Sequence, residues 1–186
     1  QMFSRATSFN QPLNWDTSNV ISIQQMFFQA TSFDQPLNWN TSSVTNMQGM
    51  FQSASAFNST LTFSDTSSVT NMQSVFLQAT SFNQPLTWDT SSVTTMQQMF
   101  RQALAFNSTL TFSDTSSVTT MQQMFYQATS FDQPLTWDTS SVINMQQMFS
   151  GATLFNSTLT FSDTSNVTYM QQMFYEATSF DQPLNW

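Results

Sequence analysis

Residues 82–105 read FNQPLTWDTSSVTTMQQMFRQALA, and residues 106–130 read FNSTLTFSDTSSVTTMQQMFYQATS. The second stretch restates the first, with Ser113 added ahead of its aspartate. Outward from this pair the chain keeps realigning with itself, at Phe9, Phe33, Phe57, Phe82, Phe106, Phe131, Phe155 and Phe180, at spacings of 24 or 25 residues. A period of that length marks stacked supersecondary units that cannot bury their apolar faces alone. Two repeat types are present. The short one carries Gln-Pro before its leucine (Gln84-Pro85-Leu86). The long one carries Ser-Thr there (Ser108-Thr109-Leu110) and an extra serine later (Ser64, Ser113, Ser162). The order is short, short, then strict long/short alternation, so the higher-order unit is 49 residues.

Within a repeat the apolar positions are fixed. Leu86-x-Trp88 has period two, the pattern of a short strand with both side chains on one face. Val93-x-x-Met96-x-x-Met99-Phe100 advances in threes and fours, which predicts one or two turns of α- or 3₁₀-helix. Asp16, Asp65, Asp89, Asp114, Asp138 and Asp163 precede it as N-cap candidates. The expected coil is therefore strand, polar corner, helical turn, corner. Stacked coils should place their strands side by side in one parallel sheet, about 4.8 Å apart. Phenylalanine, tryptophan and methionine columns fill the interior. Met-Gln-Gln-Met leaves glutamines outside, where stacked amides would form ladders between coils.

Composition excludes several functions. The chain has no Cys and no His, only two cationic residues, and a net charge of −8. Two cations cannot neutralise a phosphate backbone, so nucleic acid is not an expected partner. A Ser-His-Asp triad, a cysteine nucleophile and the usual zinc or iron ligand sets are all impossible. No run of about 18 apolar residues is present to span a membrane. The 20 Phe, 13 Met and 5 Trp are too many for a disordered tail.

At this point the run W-D-T-S-x-V-x-x-M-x-x-M-F-x-x-A-x-x-F-x-x-x-L resembles the BspA-like leucine-rich-repeat surface proteins. Trp88-Asp89-Thr90-Ser91, Val93, Met96, Met99-Phe100, Ala103, Phe106 and Leu110 match it as they stand. The resemblance covers the whole chain. It implies a leucine-rich-repeat-like α/β solenoid on a microbial cell surface, in a family linked with adhesion, without catalysis and with no particular ligand. Gln-Gln stands here where the family commonly has Ser-Gly before Met-Phe.

Candidate sites follow from the outward columns. Asn58, Asn107 and Asn156 are Asn-Ser-Thr sequons in the same column of every long repeat, and Asn40 and Asn166 are two further sequons. Short repeats read Asn-Gln-Pro or Asp-Gln-Pro in that column, so N-glycans are expected on alternate coils, given a glycosylating secretory route. Asp65, Asp89, Asp114, Asp138 and Asp163 are weak Ca²⁺ candidates, because stacked carboxylates offer the oxygen ligands this ion takes. Capping of the turn by the same aspartates is the stronger expectation. No cofactor is expected otherwise. Thr60-Leu61-Thr62, Thr109-Leu110-Thr111 and Thr158-Leu159-Thr160 set two threonines on the outer face of a strand, an arrangement seen in ice-binding solenoids. Pro12 and Pro85 interrupt alternate rows. Arg5 and Arg101, near Met-Phe pairs, read as incidental surface.

The expected architecture is one uninterrupted solenoid over residues 1–186, about seven and a half coils. The chain opens at Gln1-Met2-Phe3, which matches Gln25-Met26-Phe27, and closes on Trp186. A window of a longer array, or a unit stacking on copies of itself end to end or laterally, is the expectation drawn from that. The expected function is a structural extracellular fibre or cell-surface stalk, not an enzyme. A surface adhesin binding a host protein or glycan is the alternative, and ice binding ranks behind both. An adhesin should break the repeat symmetry, and Phe28, Tyr126, Tyr169, Tyr175 and Glu176 are the few irregular outward residues.

Overall fold

A computed structural model describes residues 1–185; Trp186, the last member of the aromatic column, lies outside them. The repeats form a continuous stack of coils with two hydrogen-bonded ladders running along it. One ladder is unbroken: parallel bridges join Ser22 to Asn46, Asn46 to Asn71, Asn71 to Thr95, Thr95 to Thr120, Thr120 to Asn144 and Asn144 to Tyr169. The other consists of three-residue strands, β1 (Leu37–Trp39), β2 (Leu61–Phe63), β3 (Leu86–Trp88), β4 (Leu110–Phe112), β5 (Leu135–Trp137) and β6 (Leu159–Phe161). Their outward middle residues are Asn or Thr, as the two-residue period requires.

The core is a set of side-chain ladders. Phe27, Phe51, Phe76, Phe100, Phe125 and Phe149 stack along the axis with ring centroids 5.4–5.6 Å apart. A second phenylalanine column runs beside it from Phe33 to Phe155 at 5.8–5.9 Å. Within a coil the two rings nearly touch, as in Phe76–Phe82 at 3.9 Å. Met47, Met72, Met96, Met121 and Met145 are fully buried alongside. Each coil closes only one side of these rings, so its neighbours on both sides complete its core.

The expected helical turn is absent: among the described residues there is no helix. Residues 96–103 show what replaces it. Met99, Arg101 and Ala103 donate their N–H groups back to the carbonyls of Met96, Gln98 and Phe100, closing four-residue turns. Met96, Gln98, Phe100 and Gln102 donate instead to Thr120, Gln122, Met124 and Tyr126 of the following coil, at 2.8–3.1 Å. An α-helix would satisfy every N–H within its own segment. Here half of them face along the stack. The first and third of these turns hold a left-handed residue at their third position, Gln98 (φ 59°) and Gln102 (φ 57°). The spacing in threes therefore reports successive tight turns, each returning one side chain to the core. The fold is a β-solenoid, and the α/β leucine-rich-repeat expectation is corrected on this point.

The single sheet is corrected too. β1 pairs only with β2, β3 with β4 and β5 with β6, in parallel register (Leu37–Leu61, Leu86–Leu110, Leu135–Leu159). In every pair a short coil precedes a long one. The second coil of a pair has Thr60, Thr109 or Thr158 ahead of its leucine, and Leu37, Leu86 and Leu135 donate to the carbonyls of those threonines at 3.1 Å. Where the following coil is short, Pro36, Pro85 or Pro134 stands there. Proline keeps the carbonyl but holds φ near −65°, away from the parallel-strand value of about −120°. It is tolerated just before a strand that keeps an open edge. Rings span the open junctions: Trp15–Trp39 lie 6.5 Å apart, Phe63–Trp88 5.8 Å and Phe112–Trp137 5.8 Å.

The extra serine of the long coil reinforces the pairing. Ser64, Ser113 and Ser162 donate their N–H groups back to the carbonyls of Trp39, Trp88 and Trp137 at 3.1–3.2 Å. Their hydroxyls accept the N–H groups of Thr41, Thr90 and Thr139 at 3.1–3.2 Å. The 49-residue period is therefore a two-coil block, stitched inside and stacked outside.

Candidate functional site

The outward columns divide into those consumed by the stack and those left to solvent. The aspartates belong to the first kind. Asp89 Oδ1 accepts the N–H of Ser91 at 3.0 Å, the Ser91 hydroxyl at 2.7 Å and the Ser113 hydroxyl at 3.0 Å. Asp138 repeats this with Ser140 N–H (2.9 Å) and Ser162 Oγ (2.9 Å). Asp16, Asp65, Asp114 and Asp163 each accept the N–H two residues on at 2.8–2.9 Å. These are Asx turns, which the sequence reading took for helix caps. Serine hydroxyl and then backbone donation hold the Asp16, Asp89 and Asp138 carboxyls below the usual carboxylate range. At Asp163 the backbone N–H of Ser165 is the main cause, partly opposed by the charge of Asp138. Asn40 makes the same contacts in its coil as the aspartates do in theirs. Among the described residues no group of three or more His, Cys, Asp or Glu is arranged to hold a metal ion. The Ca²⁺ candidates Asp65, Asp89, Asp114, Asp138 and Asp163 thus lie one per coil, with turn N–H groups as their partners.

Threonines beneath them are buried and also spent. Thr17, Thr66 and Thr115 donate to the carbonyls of Asn40, Asp89 and Asp138 in the next coil at 2.8–2.9 Å. Thr41 and Thr90 donate likewise to Asp65 and Asp114. Glutamines form the amide ladders expected of them: Gln98→Gln123 (2.8 Å), Gln123→Gln147 (2.6 Å) and Gln147→Gln172 (2.7 Å) in one column, Gln78→Gln102 (2.9 Å) and Gln102→Gln127 (2.8 Å) in another. Such amides satisfy each other along the axis without charge, which suits a chain only 6% charged.

The sequon column bridges coils through one oxygen. Asn58 Oδ1 accepts the Asn83 N–H at 2.8 Å and Gln84 Nε2 at 3.2 Å. Asn107 and Asn156 do the same with Asp132 and Gln133, and with Asp181 and Gln182. All five sequon asparagines are exposed. Asn166 differs, because its Nδ2 donates to the Ser140 carbonyl at 2.7 Å.

Two surfaces remain free of such work. On the strand face Thr62, Thr87, Thr111, Thr136 and Thr160 are exposed in a row, with Thr60, Thr109 and Thr158 beside them alternating with prolines. The second surface is an edge that gathers Phe28, Tyr126 and Tyr175, three of the irregular outward residues of the sequence, into one column. The position after Met-Phe changes identity from coil to coil: Phe28, Gln52, Leu77, Arg101, Tyr126, Ser150, Tyr175. Arg101 lies there and Arg5 one column further on. The Arg101 guanidinium sits 5.0 Å from the Tyr126 ring centre and donates to Gln123 Oε1 at 3.2 Å, and Arg5 sits 5.9 Å from the Phe28 ring. Arg5 and Arg101 occupy neighbouring columns and each covers a ring of the following coil, so they are not incidental. The signal was available in the aligned repeats, where this outward column alone has no fixed chemistry. Leu104, Leu154 and Tyr175 add exposed apolar area (42%, 58% and 54%). Tyr175 donates to Glu176, whose carboxylate raises the phenol above its usual 10.0. Tyr169 lies elsewhere, in the continuous bridge ladder.

No pocket is present among the described residues, and no helix is long and apolar enough to cross a membrane. No curated protein and no solved structure matches the chain. A family model described as "Mycoplasma protein of unknown function, DUF285" matches four overlapping stretches, residues 1–85, 37–112, 58–136 and 108–186, which tile the sequence and are consistent with a BspA-like repeat protein. The chain therefore belongs to that DUF285 repeat family.

Proposed function

We propose that this solenoid is a structural element of an extracellular fibre or cell-surface stalk, not an enzyme. The observation that carries the reading is the uniformity of the coil-to-coil contacts. The bridge ladder and both phenylalanine columns repeat without a gap from coil to coil, and amide ladders join runs of successive coils beside them, so outward chemistry is mostly spent on stacking. The bridge ladder and the phenylalanine columns continue across both kinds of junction, inside a two-coil block and between blocks, which lets further blocks, from the same chain or another copy, continue the stack. Heterologous stacking of this kind gives open filaments. Electron microscopy of the purified chain across a concentration series tests it. Rods that lengthen with concentration support the reading. Particles of fixed size at every concentration sink it.

A second reading is a surface adhesin, favoured by the variable edge around Arg101, Tyr126 and Tyr175. Arg and Tyr are the side chains most enriched at binding hot spots. A panel of glycans and extracellular-matrix proteins probed with wild type and an R101A/Y126A/Y175A variant tests it, with retention lost only in the variant as the supporting result. Ice binding stays behind both, because the exposed threonine pairs alternate with Pro85 and Pro134.

A further inference from the structure

We propose that Asn58, Asn107 and Asn156 carry N-linked oligosaccharides, whereas Asn40 and Asn166 do not. The inference deepens the extracellular reading above and rests on it for its biological setting. Three observations separate the sequons. First, the backbone N–H of the next coil pins Oδ1 of Asn58, Asn107 and Asn156 inward at 2.8 Å, which fixes the amide orientation and turns Nδ2 outward. That nitrogen has no hydrogen-bond partner among the described residues. Oδ1 survives glycosylation as an amide oxygen, so the coil contact is kept. Second, the hydroxyls of Thr60, Thr109 and Thr158 at the third sequon position are exposed and make no hydrogen bond among the described residues. At Asn40 the equivalent Ser42 hydroxyl is tied to Asn40 Oδ1 at 2.8 Å and the intervening Thr41 is buried. At Asn166 the amide nitrogen is already spent on Ser140. Third, the accepting coils alternate with coils whose Gln-Pro excludes the sequon, leaving about 9.6 Å between attachment points instead of about 4.8 Å.

The transfer is balanced by a lipid-diphosphate-linked oligosaccharide as donor. Nδ2 forms a bond to the sugar C1, C1 loses its bond to the diphosphate carrier, and the amide gives up one proton. The folded coil has room for the product at these positions because the three asparagines are exposed to solvent.

The test is secretion of the whole chain from a eukaryotic cell line behind a cleavable signal, followed by intact-mass measurement and peptide mapping. The signal forces entry into the secretory route, so the result reports on the sites and leaves the native address to a separate localisation experiment. Glycans at positions 58, 107 and 156 only, removable by an amidase that leaves aspartate there, are expected. Substituting Asn58 removes a coil contact, so the informative variant is T60A/T109A/T158A, which destroys the sequons and leaves every asparagine bond in place. It should return to the bare polypeptide mass. A folded wild-type chain of bare mass, or occupancy at Asn40 or Asn166 equal to that at Asn107, overturns the proposal.

Discussion

Ser113 and Asp89 belong to successive coils, and the Ser113 hydroxyl donates to the Asp89 carboxylate at 3.0 Å while accepting the Thr90 N–H at 3.2 Å. One inserted residue thereby satisfies a buried donor and a turn carboxylate of the coil before it. Ser113→Ala removes both bonds and leaves the Thr90 N–H unpaired. A net hydrogen bond contributes about 1 kcal/mol and an orphaned donor costs somewhat more, so a loss of about 2 kcal/mol is expected. Chemical denaturation checks it. A change below about 0.5 kcal/mol, the size of an ordinary surface effect, would show that the serine merely fills the bulge.

Pro85 separates β2 from β3. Pro85→Thr frees φ, giving the second coil of this junction the residue found at Thr60 and Thr109. Hydrogen exchange is expected to slow at Leu61 and Phe63 as the two blocks join. If protection there is unchanged while Ser113→Ala loosens β3 from β4, the serine and not the proline sets the block boundary.

Gln98 holds a left-handed conformation (φ 59°) in the column where Gly49 stands at φ 60° and Ser74 at 59°. Gln98→Gly relieves strain of about 1 kcal/mol but forfeits the amide bond to Gln123, and the two nearly cancel. Gln98→Val keeps a side chain that left-handed backbone excludes, and should cost about 2 kcal/mol or more. Paired melting curves decide the matter. Equal effects of glycine and valine would mean that backbone strain plays no part.

Acid should loosen the turns. Asp16, Asp89, Asp138 and Asp163 have carboxyls held below their ordinary 3.8 in the folded chain by serine donors. A group depressed in this way contributes stability that is complete above the unfolded value and is lost as pH falls through the folded one. Stability should therefore be flat above about pH 5 and decline below about pH 4. Asn40 shows that an amide serves the same contacts, so D89N/D138N should flatten the decline. Wild type and variant melting in parallel down to the lowest pH would refute this account.

The repeat, the strand positions and the identity of the core were legible because period-two and period-24 patterns are direct consequences of side-chain direction. The turns were misread because a three-residue spacing is shared by a 3₁₀ segment and by consecutive tight turns. The deciding clue is small. The chain has two glycines, and Gly49 and Gly151 fall one in each left-handed column. The division of the sheet turned on which coil follows which, a relation visible only once strands are placed against each other. Among the candidate sites, the repeat already set the Asn58, Asn107 and Asn156 column apart from Asn40 and Asn166, and hydrogen-bond geometry at the amide supplies the physical difference. Arg101 was misjudged because its meaning depends on Tyr126, one coil and 25 residues away.

The two-coil block also constrains how a gene for this protein can change length. Removing or duplicating 49 residues restores every junction to a kind already present, with serine stitches and proline edges in their usual order. Losing a single proline coil from the alternating part instead sets two serine coils against each other, a junction found nowhere in the chain. Recombination between copies should consequently leave a ladder of allele sizes with even numbers of coils between them.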